Sequence, residues 1–149
     1  MNAIEYLKKE HIKARAAFKK IETSTSGSQR GELWRKLRPE LEVHEQMEEA
    51  HLYGPVARET QVDEDLAAWE QEHRQDVQEA ETLINEISRL DPADEKWLEM
   101  IQKLREALEQ HIEKEEEDIW PHIEEVWDRP RLEEAGRQME GMKSKSAAA

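Results

Sequence analysis

Cysteine is absent from the 149-residue chain, which excludes disulfides, thiolate chemistry and sulfur-ligated zinc or iron–sulfur centres. Glycine and proline are scarce, with five of each. Long runs of Glu, Lys, Leu, Ala, Gln and Arg take their place and point to an all-α protein. No apolar stretch approaches the roughly 20 residues that span a bilayer. Residues 1–10 also lack the apolar centre of a secretory signal, so the cytoplasm is the expected location. Positive charge is short as well: 22 Lys and Arg against 36 Asp and Glu give a formal charge of -14 with the six histidines neutral. That balance argues against nucleic acid or an anionic membrane as a partner, and bound cations would reduce it. The length suits one domain with a sizeable core.

Four helices follow from periodicity and turn chemistry. The first spans about residues 2–21, with Ile4, Leu7, His11, Ala14, Phe18 and Ile21 on one stripe. A Ser/Thr-rich loop over residues 23–28 leads into the second, which carries Trp34, Leu37, Leu41, His44, Glu48 and His51 before Gly54-Pro55 ends or bends it. Pro39 predicts a kink or a late start. The third stripe uses Leu66, Trp69, His73, Val77, Ala80, Ile84 and Ile87. Asp91 as N-cap and Pro92 at the first helical position predict the start of the fourth, with Trp97, Ile101, Leu104, Leu108, His111, Glu115 and Asp118 inward. Short connections favour antiparallel neighbours, hence an up-down-up-down four-helix bundle over residues 1–128. Residues 129–149 read as a short helical or disordered tail.

Two of these helices change character halfway. Leu37, Leu41, His44, Glu48, His51 and Leu104, Leu108, His111, Glu115, Asp118 share a 4-3-4-3 spacing and lie 67 residues apart. The match extends to Glu49/Glu116, Leu52/Ile119 and Tyr53/Trp120, and the preceding helices share Glu10-His11 and Glu72-His73. Ionisable groups aimed at a bundle interior cost several kcal/mol each unless paired or metal-bound. Counted from the Asp91 turn, His73 lies 18 residues before and His111 20 after, a height mismatch of about 3 Å. These two therefore face each other. Four imidazoles, His11, His44, His73 and His111, and two carboxylates, Glu48 and Glu115, converge on one layer. No Lys or Arg shares their stripe. Such a donor set suits iron, manganese or zinc, and pseudo-twofold symmetry suits two ions. Calcium would need mostly oxygen ligands.

Other residues are less distinctive. Glu45 could reach a metal from the side of the seam or be a surface glutamate. His51, one turn past Glu48, fits a position behind the ligands better than one among them. His122 reads as structural or exposed, and Trp120 and Tyr53 as packing at the bundle end.

The segments Glu10-His11, His44-Glu-Gln-Met-Glu48-Glu49, Glu72-His73 and His111-Ile-Glu-Lys-Glu115-Glu116, followed by Ile119-Trp120-Pro121, resemble the hemerythrin-like HHE cation-binding family. The resemblance implies a four-helix bundle around two non-haem irons bridged by oxo or hydroxo and carboxylate groups. By that resemblance His11 and His44 serve one iron, His73 and His111 the other, and Glu48 and Glu115 bridge. It implies dioxygen, nitric oxide or peroxide as the small ligand, in oxygen or iron sensing or stress response, and a binding protein more than an enzyme. Oxygen carriers of the family have a second histidine one turn after the third-helix histidine; here that position is Val77. Two other readings stay open at this point. Glu48-x-x-His51 and Glu70-x-x-His73 fit the Glu-x-x-His spacing of ferritin-like oxidases, peroxidases or iron stores, and a metal-free helical interaction module needs only a hydrated seam.

Overall fold

Each bundle helix begins on an acceptor side chain that takes up a free backbone N–H. The computed structural model describes residues 1–60 and 63–148. In it Asn2 caps α1 (Ala3–Thr23), Ser26 caps α2 (Gly27–Glu48), Asp63 caps α4 (Glu64–Arg89) and Asp94 caps α5 (Glu95–Lys114). The expected start at Asp91 is displaced by three residues. Asp91 Oδ1 instead accepts from Ala93 N at 2.9 Å, a local turn that Pro92 favours. The helix proper begins where Asp94 accepts from Lys96 N. Pro39 neither delays nor ends α2, which is helical on both sides of it.

Neither proline-containing end stops the helical path, where an end or a bend was expected at Gly54-Pro55. A π-helical segment, Glu49–Tyr53, joins α2 to α3 (Gly54–Glu59), and another, Glu115–Ile119, joins α5 to α6 (Trp120–Val126). In each, the residue before the proline sends its N–H back five residues, Gly54 to Glu49 and Trp120 to Glu115. A widened turn accommodates a residue that cannot donate and whose ring crowds the preceding turn. It also shifts the inward face. Asp118, expected inward, is exposed, and His51 is half-exposed, while Ile119, Trp120, Leu52 and Tyr53 are buried in their place.

The result is an all-α bundle in which α1 packs on α2 and α5, and α4 on α5. Its interior is two apolar clusters rather than one. Phe18, Leu37, Leu41, Ile84, Trp97 and Leu104 anchor the first; Ile4, Leu7, Leu52, Val56, Trp120 and Ile123 anchor the second. The histidine–carboxylate layer lies between them. The segment after residue 128 is longer than the short helix suggested by its sequence. It forms the 20-residue α7 (Arg129–Ala148), which packs on α1 and α2 and places Leu132, Ala135 and Met139 in the second cluster. Burial of a Leu or Met side chain contributes about 1.5–3 kcal/mol. The expectation for residue 149 lies outside the described residues. Among the described residues no helix is long and apolar enough to cross a membrane.

Candidate metal centre

Four helices contribute one histidine each to the layer between the clusters. His11 (α1) and His73 (α4) are buried, and the side chains of His44 (α2) and His111 (α5) are 17% and 16% exposed. The rings pair across the bundle, His11 with His44 at 5.2 Å and His73 with His111 at 5.4 Å between centroids. Glu48, at the end of α2, and Glu115, at the start of the second π-helical segment, are fully buried. Donor atoms of His11, His44 and Glu48 lie within 4.8 Å of one another, and so do those of Glu48, His73, His111 and Glu115. Glu48 belongs to both groups. Its Oε2 is 2.8 Å from His73 Nε2, and Oε1 is in close contact with His44 Nε2.

Imidazole orientation is set from behind. His11 Nδ1 lies 2.7 Å from Glu116 Oε2, His111 Nδ1 lies 3.0 Å from Asp76 Oδ2, and His73 Nδ1 lies 3.6 Å from Glu49 Oε2. A carboxylate at Nδ1 favours the tautomer that leaves Nε2 with a lone pair facing the layer. Aromatic rings fix two of these imidazoles further: Trp120 stacks on His11 at 4.9 Å and Tyr53 on His73 at 4.4 Å. Glu115 is held by the Tyr53 hydroxyl, which donates to Oε2 at 2.7 Å.

Without a cation, the layer regulates its charge by sharing protons. Burial pushes the imidazoles of His11, His73 and His111 down, but the facing carboxylates outweigh it and raise all three, His73 to about 9. Glu48 shows the converse: burial pushes it up, and His44, His111 and His73 hold it well below the usual carboxylate range. Even so, His11 Nε2, Glu48 Oε1 and Glu115 Oε1 are buried with no hydrogen bond. Unsatisfied buried polar atoms cost about 1–3 kcal/mol each. Inward lone pairs from imidazole and carboxylate, with no Lys or Arg among them, form a donor set that fits cations.

The family comparison agrees with this geometry. Residues 2–123 match the family described as hemerythrin HHE cation binding domain. The chain belongs to that family. Among solved structures it is similar to a hemerythrin HHE cation-binding domain-containing protein from Mycobacterium kansasii, at 26% identity and a TM-score of 0.78, over 99% of this chain and 89% of that one. No curated protein matches.

Around this HHE layer the remaining candidates separate. Glu45 is half-buried on the wall of the cavity, outside both donor groups. Burial and the negative charges of Glu81 and Glu48 raise its carboxyl to about 8. His51 is outside both groups too, and Glu70 faces Arg74 at 3.2 Å. The two Glu-x-x-His spacings of a ferritin-like site are therefore not assembled. His122 is half-buried, 2.7 Å from Asp63 Oδ2 at the far end of the bundle.

The sequence pattern left three participants out. Asp76 behind His111 has no counterpart in the 67-residue repeat. Tyr53 and Trp120, read as packing, contact the layer directly, and their match across the repeat was the available signal. A cavity of about 910 Å³ runs from the layer toward the first apolar cluster, with His11, His44, Glu48 and His111 at one end and Phe18, Leu37, Leu41, Ala80 and Leu108 along it. Val77 is part of its wall.

Proposed function

We propose that the HHE layer holds two non-haem iron ions and binds dioxygen or a related small ligand, nitric oxide or peroxide, in oxygen or iron sensing or a stress response. The observation that carries this reading is the convergence of His11, His44, Glu48, His73, His111 and Glu115, with inward atoms that have no hydrogen bond. His11 and His44 would serve one ion and His73 and His111 the other. Glu48, common to both groups, would span them, and Glu115 would reach both sides, since its Oε1 lies 3.3 Å from His11 Nε2 and 3.4 Å from His111 Nε2. Manganese and zinc suit the same donors.

Bound irons supply open coordination positions at which a small ligand can be held. The chain's own residues shape that place. Glu116 and Asp76 keep two imidazoles oriented, the Tyr53 ring stacks on a third, His73, and its hydroxyl fixes Glu115. Val77 puts an apolar wall where oxygen carriers have a further imidazole. Phe18, Leu37 and Leu41 extend that apolar wall along the cavity.

The test is anaerobic reconstitution of the metal-free protein with ferrous iron, followed by air. About two irons per chain and new near-ultraviolet charge-transfer absorption on exposure to air are expected. Fewer than about two irons, or an unchanged spectrum, overturns the reading.

A further inference from the structure

The cavity beside the histidine layer is far larger than a diatomic ligand needs. Such a molecule is close in size to water, which takes up about 30 Å³ of liquid, and the cavity holds about 910 Å³. Sites for small organic molecules run to roughly 300–1,000 Å³, with apolar walls and a few polar groups. The space has an origin in the sequence. One and two turns from the layer, α1, α4 and α5 line it with Ala14, Val77, Ala80 and Ala107, where a close-packed bundle interior would carry larger side chains. Phe18 and Leu41 continue the apolar wall. The other side of the layer differs: Leu7, Met47, Leu52, Tyr53 and Trp120 are fully buried in the second cluster, and none of them lines the cavity.

Charge along the cavity is largely met within the protein. Arg15 pairs with Glu109 at 2.6 Å, Arg105 with Glu22 at 2.5 Å, Lys143 with Glu10 at 2.5 Å, and Lys114 with Glu72. Lys13, Lys19, Glu40 and Glu79 are exposed, so water solvates them. A charged ligand would break such a pair or lose its own hydration against apolar walls. An uncharged one does neither. Polar groups without such partners lie at the layer's end, where half-buried Glu45 follows His44. Glu48 Oε1 and His11 Nε2 are there too, buried and with no hydrogen bond.

We infer that the cavity binds an uncharged organic molecule with a hydrocarbon body and a single hydroxyl-type end. The body fills the space at Ala14, Val77, Ala80 and Ala107, and the oxygen end meets the layer. In the metal-free protein an O–H donates to Glu48 Oε1, and the same oxygen suits a bound cation. The site goes beyond the cation-centre reading and is built from the chain's own side chains, so it is testable without metal.

The experiment is calorimetric titration of the metal-free protein with 1-alkanols from butanol to decanol, with methyl NMR to locate them. Affinity is expected to rise roughly three- to fourfold per added CH2 until the space is filled. The methyl signals of Ala14, Val77 and Ala80 should move, and those of Ala3 and Ala135 in the second cluster should not. Octanoate and octylammonium should bind at least about tenfold more weakly than octanol. Ala14→Leu combined with Ala107→Leu fills the space and should weaken octanol binding by about tenfold or more, with Co2+ stoichiometry as in wild type. No saturable alkanol binding by the folded wild type, or shifts at Ala3 and Ala135 instead, overturns the site. Equal affinity for octanoate overturns the uncharged occupant. Alkanol binding without any Co2+ uptake overturns the cation centre and leaves this site standing.

Discussion

The Trp120 indole donates to the Tyr53 hydroxyl at 3.1 Å, across the 67-residue repeat that matches these two residues. The hydroxyl in turn donates to Glu115 at 2.7 Å, and all three groups are buried. A relay of two donors thus fixes a carboxylate that faces both histidine pairs. Burial and the charge of Glu115 raise the phenol well above its ordinary value, so it remains a donor at neutral pH. Tyr53→Phe leaves the indole N–H without an acceptor and Glu115 without a donor. The metal-free protein should lose about 1–3 kcal/mol in urea unfolding. A midpoint unchanged from wild type would remove the relay from the stability of the layer.

Glu48 is the carboxylate common to the two donor groups, whereas His44 belongs to one. Glu48→Ala is therefore expected to lose cations from both positions, and His44→Ala from one. Metal content per chain after dialysis of the reconstituted variants separates these outcomes. Equal losses in the two variants would mean that the pair of positions fills and empties as a unit.

The seams of α1, α2, α4 and α5 were legible because a bundle interior imposes its period on the sequence, and the six inward His and Glu broke that period in the same way twice. The register beyond Glu48 and Glu115 was not legible. A heptad count continues through a helix, but the π-helical segments before Pro55 and Pro121 each add a residue to the turn, which brings Ile119 inward and leaves Asp118 outside. Asp91 and Asp94 offer the same capping chemistry three residues apart, and only the turn made by Asp91 with Ala93 decides between them. Asp76 depends on how α4 is rotated against α5, a tertiary quantity with no local signal. The apolar spacing of Leu132, Ala135 and Met139 was visible, but the Lys-, Ser- and Ala-rich end from Lys143 onward made the segment read as a short helical or disordered tail.

The protonation of His73 makes metal-free stability depend on pH. Its folded value of about 9 lies above the ordinary 6.5, so the folded chain holds this proton more tightly than the unfolded chain does. The stabilisation is complete below about pH 6.5 and is lost as pH rises through about 9. The metal-free protein is expected to lose on the order of a few kcal/mol over that window, measured by urea unfolding at a series of pH values. His73→Gln should flatten the slope. Cation binding needs the neutral imidazole, so apparent affinity should rise over the same window.

Gly136 on α7 lies against the start of the chain. A Cβ there would be 2.4 Å from the Met1 carbonyl oxygen and 3.0 Å from the Ala3 nitrogen, both backbone atoms. Neither can move without displacing the first turn of α1. Gly136→Ala gains helix propensity of up to about 1 kcal/mol, but overpacking against backbone costs about 1–3 kcal/mol. The clash should win and lower the melting temperature. Gly141→Ala meets nothing within 4 Å, and the same propensity gain should then raise it.

Glu45 has linkage of the same sign as His73, but with the neutral form as the protonated one. Burial, with Glu81 and Glu48 nearby, raises its carboxyl from 4.5 to about 8, so folding at neutral pH works against its ionised form. Stability tied to the neutral acid is complete below about pH 4.5 and is lost as pH rises through about 8. Glu45→Gln keeps the shape and removes the ionisation. It should stabilise the metal-free protein by about 1–3 kcal/mol at neutral pH, and the difference from wild type should vanish below about pH 4.5. Paired urea unfolding curves at the two pH values check both parts. A variant less stable than wild type at neutral pH would mean that the ionised carboxylate is stabilised by the histidines of the layer rather than opposed by its neighbours.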